Sequence, residues 1–306
     1  MDRRILILCV VCVTSNSVYL LPTQDFVKPN SVKNTERLNN LKSNDYAYLY
    51  SGQFEGDMVL SPEEIDELIN ERGGRTGMID ERFRWTDNIV PFHIREADFT
   101  LAQINYITLG VQRIMDVTCI KFVKYNPAVH TNYVEVTGEN SGCWSYVGMR
   151  GGRQQLNLQL FAPESGCFRL YTIVHEFIHA LGFYHMQSAT ERDEYVEILW
   201  DNIQPGMEHN FNKFGPERIS QYGIDYDYGS VMHYPPSAFS INDQPTIIAL
   251  KDTGGATMGQ TVRMSDKDIA RLNAKYCPVI DNRPKNLFQF FALMNQKMNN
   301  LFKTIF

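Results

Sequence analysis

Two histidines four residues apart, His175 and His179, followed by Gly182 and His185, constrain this chain more than any other feature of its 306 residues. In an α-helix, positions i and i+4 share a face, so both imidazoles can reach one metal ion, with Glu176 projecting beside them. Gly182 can adopt a left-handed conformation that ends the helix, turns the chain and brings His185 back as a third ligand. Three neutral imidazoles with one position left open describe a zinc site built for chemistry, because a structural zinc is usually closed by four protein ligands. A bare His-Glu-x-x-His recurs by chance; the continuation through Gly182 and His185 makes the pattern specific.

A second segment, Ser230-Val231-Met232-His233-Tyr234, completes the metzincin pattern. Met232 fits the methionine turn that floors the zinc ligands, with Tyr234 two residues later; without the upstream histidines they would read as a core methionine and a surface aromatic. His209 and His233 fall at no ligand spacing and are read as hydrogen-bonded structural or surface histidines.

The chain carries 29 Lys+Arg against 35 Asp+Glu, so no basic excess is available to neutralise phosphates and a nucleic-acid partner is not expected. Arg3 and Arg4 precede the apolar run Ile5–Val13, and Ser15 and Ser17 stand at −3 and −1 before a cut after Ser17. This reads as a secretory signal peptide over 1–17, the run being far shorter than the roughly 20 residues of a membrane-spanning helix. Cys9 and Cys12 would leave with it, and Cys119, Cys143, Cys167 and Cys277 would remain in an oxidising compartment, where three pairings are open to them.

Residues 18–75 differ in texture from the rest of the chain, and their one convincing element is a short helix capped by Ser61, with Pro62 at its first position and Glu64 three residues after the cap. Glu71-Arg72-Gly73-Gly74-Arg75-Thr76-Gly77 reads either as a cleavable junction or as an ordinary surface loop. Strands are expected at 89–94, 119–123, 133–136 and 156–160, and a helix over 101–117. The tail, 278–306, is an amphipathic helix candidate that would dock on the protein or, less readily, on a membrane surface.

From about Trp85 to Cys277 the chain resembles the astacin family of secreted metalloendopeptidases. The resemblance rests on Gly142-Cys143-Trp144-Ser145-Tyr146-Val147-Gly148, Gly151-Gly152-Arg153-Gln154, the histidine segment, Trp200-Asp201-Asn202-Ile203, the run Tyr226 to Tyr234, and Ala238-Phe239-Ser240. It implies an α+β metzincin fold, with two subdomains flanking an active-site cleft and an N-terminal prosegment. It also implies one Zn2+ per catalytic domain on His175, His179 and His185, Tyr234 as a further ligand that swings away, and disulfides Cys119–Cys277 and Cys143–Cys167. Zinc would acidify a water and polarise the scissile carbonyl, Glu176 would carry the proton from that water to the leaving amine, and Tyr234 would donate to the oxyanion. Phe54-Glu55-Gly56-Asp57 resembles the family's inhibitory motif, so Asp57 is expected on the zinc in the zymogen only, or else in a plain acidic turn.

These features divide the chain into a signal peptide (1–17), a propeptide (18–75), a catalytic domain (76–277) and a tail (278–306). The expected protein is a secreted, extracellular monomer without an integral membrane segment. Its partners would be protein or peptide substrates and a trypsin-like protease that activates it near Arg75. Three positions depart from the family: Met186 where relatives carry Glu, Ala189 where they commonly carry Arg, and Thr261 where many carry Arg, which leaves acidic specificity open. The alternative from another class is a catalytically silent, zinc-containing binding protein, which would have no reason to retain Glu176.

Overall fold

The computed structural model describes residues 44–69, 81–216 and 218–277; the expected signal peptide, the Glu71–Gly77 junction and the tail lie outside them. Helix α1 (Pro62–Ile69) begins as its sequence dictates, with Ser61 N–H donating to Glu64 Oε2 at 2.8 Å and Glu64 N–H to Ser61 Oγ at 3.2 Å. Residues 44–69 hold more structure than the polar texture of 18–75 suggests. A 3-10 helix over Asn44–Tyr50 and strand β1 (Met58–Val59) accompany α1, because Ala47, Tyr48, Leu49 and Met58 are buried against the rest of the molecule. Tertiary burial, rather than periodicity, orders these residues.

Strands β2 (Ile89–Ile94), β3 (Lys121–Lys124), β4 (Tyr133–Thr137), β5 (Cys143–Tyr146) and β6 (Arg153–Leu158) join β1 in one sheet of order β1-β5-β6-β4-β2-β3. Every pair is parallel except β5 with β6. Their Val90, Val134, Val136 and Leu156 pack with Ile107, Val111 and Ile114 of α2 (Leu101–Met115) and Ile173, Val174 and Phe177 of α3 (Leu170–Ala180). The two helices approach closely at Gly110, where a Cβ would lie 2.6 Å from Ile173 Cγ2. Helix α2 opens with a Thr100–Gln103 capping box that turns Gln103 inward onto the Phe161 carbonyl (2.9 Å) and leaves Leu101 73% exposed, so the apolar face starts later than the spacing suggests.

The second half is less regular: 3-10 turns, the antiparallel pair β7 (Val196–Ile198) and β8 (Ile247–Ala249), and α4 (Asp266–Tyr276). This division gives the α+β architecture. Disulfides join Cys119 to Cys277 across a separation of 158 residues and Cys143 to Cys167 across 24. In a chain-entropy model, loops of those lengths correspond to about 5 and 3 kcal/mol. No helix among the described residues is long and apolar enough to cross a membrane.

Helix α3 ends in a Schellman motif, with Phe183 N–H on Ile178 O (3.2 Å), Gly182 N–H on His179 O (2.7 Å) and Gly182 at φ +88°. Other elements complete the cap: Trp85 Nε1 donates to Ala180 O (2.8 Å), Tyr276 Oη to Leu181 O (2.8 Å), and Lys275 Nζ to Leu181 O (3.0 Å) and Gly182 O (3.2 Å). Burial pushes the Lys275 ammonium down to about 7, with Glu81 and Arg84 as the charged groups acting on it. The unfolded chain then holds this proton up to about pH 10.4, so the folded state is penalised below pH 7 and recovers stability, by at most about 1.4 kcal/mol per pH unit, as pH rises through that window. Thermal unfolding of wild type and Lys275→Met between pH 7 and 9 should show the wild type gaining on the variant; parallel curves would refute the shift.

Candidate metal centre

The rigid end of α3 presents His175 and His179 on one face, and the left-handed Gly182 sends the chain back so that His185 faces them. The His175 Nε2 lies 3.1 Å from His179 Nε2 and 3.3 Å from His185 Nε2. Each ring spends its other nitrogen on an acceptor: His175 Nδ1 on Val231 O (2.8 Å), His179 Nδ1 on Phe183 O (2.7 Å) and His185 Nδ1 on Glu55 Oε2 (2.8 Å). Donation from Nδ1 leaves the lone pairs on the three Nε2 atoms, all aimed at one point. Such lone pairs repel unless a cation lies among them. Two nitrogens on a tetrahedral zinc at about 2.0–2.1 Å are about 3.3 Å apart, so the donor set fits that ion.

Asp57 closes the group. Its Oδ2 is 3.0 Å from His175 Nε2, and its Oδ1 lies 3.5 Å from His179 Nε2 and 3.3 Å from His185 Nε2, with no hydrogen-bond partner of its own. These four buried side chains are the one group of His, Cys, Asp and Glu among the described residues arranged to hold a metal. Burial alone would raise the Asp57 carboxyl, but the imidazoles, His185 and His179 foremost, hold it well below its usual range. Glu176 is fully buried beside them, with both oxygens unpaired. Burial, and then the Asp57 charge, push it well above the usual carboxylate range.

Beneath the histidines, the turn at Met232 is held by α4. Asp268 accepts from Ser230 Oγ (2.5 Å) and Val231 N–H (2.9 Å), and the Val231 carbonyl then takes His175 Nδ1. Met232 is buried and its carbonyl receives the Met186 N–H at 2.9 Å. Met186 is itself 4% exposed, an apolar residue in the core. Tyr234 is fully buried, and its hydroxyl donates to the Glu55 carbonyl at 2.6 Å. Burial first, and then the Glu55 and Asp57 charges, raise its pKa well above normal, so it remains a donor. His233 is likewise buried, 2.7 Å from Tyr226 Oη and 2.7 Å from Tyr234 O, and is a structural residue.

The segment from Tyr48 to Glu64 crosses this site. β1 pairs with the sheet edge β5 (Met58 opposite Ser145), and Phe54, Met58 and Leu60 pack with Val147, Phe214 and Ile219. Glu64 reaches Arg150 at 2.5 Å, and the Tyr48 ring lies against His175 with centroids 4.6 Å apart. Tyr48 and Asp268 are site residues that sequence reasoning did not single out, and Glu55 figured there only as part of the Phe54–Asp57 motif, without a role. Asp268 was readable as the third residue after the Ser265 cap of α4, but its reach to Val231 depends on tertiary packing.

The model of the astacin peptidase family matches residues 77–277. Zinc metalloproteinase nas-4 of Caenorhabditis elegans is 37% identical over 226 residues, which cover 73% of this chain and 69% of that protein. Meprin A subunit beta of Homo sapiens is 38% identical over 224 residues, covering 73% of this chain and 29% of that one. Among solved structures, High choriolytic enzyme 1, a hatching enzyme zinc-protease from Oryzias latipes, superposes with a TM-score of 0.57 at 32% identity, over 64% of this chain and 96% of its own.

Proposed function

Because the chain belongs to the astacin family, and is thus a zinc metalloendopeptidase acting on protein or peptide substrates, we propose that it is secreted as a monomeric zymogen whose own prosegment closes the metal site. His175, His179 and His185 would hold the zinc, Asp57 would complete its coordination in the zymogen, and Tyr234, whose hydroxyl is bonded to Glu55 O there, would be a further ligand once the prosegment has left. The observation that carries this reading is the convergence of three lone-pair-bearing Nε2 atoms on the Asp57 carboxylate, beside a Glu176 with no partner of its own. When bound, zinc supplies Lewis acidity that polarises the scissile carbonyl and makes a water acidic near neutral pH.

This chain's residues do the rest. Glu176 takes the water's proton on a carboxylate oxygen and delivers it to the departing amide nitrogen, with no hydrogen-bond partner of its own competing for that role. The Tyr234 hydroxyl, bonded to Glu55 O in the zymogen, is released when the prosegment departs and donates to the developing oxyanion. Residues 1–17 are the leader, a trypsin-like protease cuts near Arg75 to remove 18–75, the catalytic domain is 76–277 and 278–306 form a tail. The disulfides Cys119–Cys277 and Cys143–Cys167 suit an extracellular setting.

The test uses the full chain, expressed through a secretory pathway and assayed on a quenched-peptide library. It should be silent until trypsin acts, then active; 1,10-phenanthroline should abolish that activity and zinc restore it. Equal activity before and after trypsin would remove the zymogen, and activity that survives chelation would remove the metal mechanism.

A further inference from the structure

The three metal-facing histidines are supported unequally. His175 and His179 rest on the Val231 and Phe183 carbonyls, both within the catalytic half, whereas the partner of His185 is the prosegment carboxylate Glu55. That carboxylate is fully buried and is aimed by a second bond, with Ser188 Oγ donating to Glu55 Oε1 at 2.9 Å. A tight turn, in which Gly56 N–H meets Gln53 O at 3.0 Å, delivers it with Glu55 at φ +47°. An L-residue other than Gly, Asn or Asp rarely adopts that conformation, and here the bonds to His185, Ser188 and Tyr234 hold it. Gly56, at φ +90°, follows so closely on Leu49 that a Cβ would come within 2.9 Å of the Leu49 Cα.

A carboxylate on the distal nitrogen of a metal-binding imidazole fixes its tautomer and ring orientation and makes it a stronger ligand than a carbonyl partner does. We propose that Glu55 is a positioning residue for the metal: through His185 it makes the zymogen hold zinc more firmly, and removal of the prosegment loosens the metal as well as uncovering it. The proposal rests on the reading that zinc lies among the three histidines and Asp57, and it assigns the prosegment two acidic functions two residues apart, Asp57 toward the metal and Glu55 toward a ligand.

The test measures zinc release from the zinc-loaded, full-length protein into an excess of a chromogenic chelator, for wild type, Glu55→Gln, Glu55→Ala, Asp57→Ala and His185→Ala. Glutamine keeps an acceptor for His185 Nδ1 and a hydrogen-bonding group for Ser188, so Glu55→Gln removes the charge with little change in shape. Release should quicken about 10-fold in Glu55→Gln and up to about 100-fold in Glu55→Ala. The visible spectrum of the cobalt-substituted Glu55→Gln protein should stay that of wild type, with Asp57 in place. Wild-type release in both Glu55 variants, alongside faster release in Asp57→Ala, would overturn the proposal. So would a Glu55→Gln cobalt spectrum matching Asp57→Ala, since Glu55 would then act only by holding the turn. If His185→Ala also releases zinc at the wild-type rate, the histidine site itself is wrong, a separate failure.

Discussion

Glu176→Gln should lower kcat of the trypsin-activated protein by about 10²–10⁴-fold, the contribution expected of a positioned general base, while zinc content stays at wild-type level. The amide matches the carboxylate in shape but cannot take up the proton of the attacking water. Because both Glu176 oxygens lack hydrogen-bond partners and the side chain is fully buried, the substitution breaks no network. A buried, unpaired amide replaces a buried, unpaired acid, so the unfolding temperature of the zymogen should change little. Steady-state kinetics on a quenched peptide, with zinc by atomic absorption, decide the matter: wild-type turnover in the variant would end the assignment of Glu176, and loss of zinc would make it structural.

Asp57→Ala should undo latency. Its carboxylate is fully buried against the three imidazoles at 3.0–3.5 Å, and breaking a buried ionic contact by removing one partner typically costs about 3–5 kcal/mol. The ratio of activity after trypsin to activity before it should therefore fall by about 10²–10⁴-fold, at about 1.4 kcal/mol per decade. Some inhibition should remain, because β1 still pairs with β5 and Phe54, Met58 and Leu60 still pack on Val147, Phe214 and Ile219. Asp57→Asn should fall between the two. A variant as latent as wild type would show that packing in the cleft, and not the carboxylate, silences the enzyme.

Local rules hold wherever neighbours in sequence are neighbours in space. The spacing of His175 and His179 on one helix face, the reversal at Gly182 and the Ser61–Glu64 cap of α1 all come from the period of the helix and from cap chemistry. Helical spacing would put Leu101 on the inward face of α2, but the capping box at Thr100 turns Gln103 inward and leaves Leu101 exposed. Local rules also gave no sign of the 3-10 helix over Asn44–Tyr50, whose order comes from burial against the catalytic half.

The sequence alone determined the types and order of the residues proposed to hold the metal and the reaction they suit, since ligand chemistry and helical period are local properties. The tertiary structure decided what each ligand rests on. Val231 and Phe183 support two histidines and Glu55 the third, Asp268 braces the turn beneath them, and Lys275 and Tyr276 close the end of α3. These partners lie from 4 to 130 residues from the groups they serve. Apart from Phe183, which the local reversal at Gly182 places, only the closing of the chain into a packed core, where every buried donor needs an acceptor, selects them.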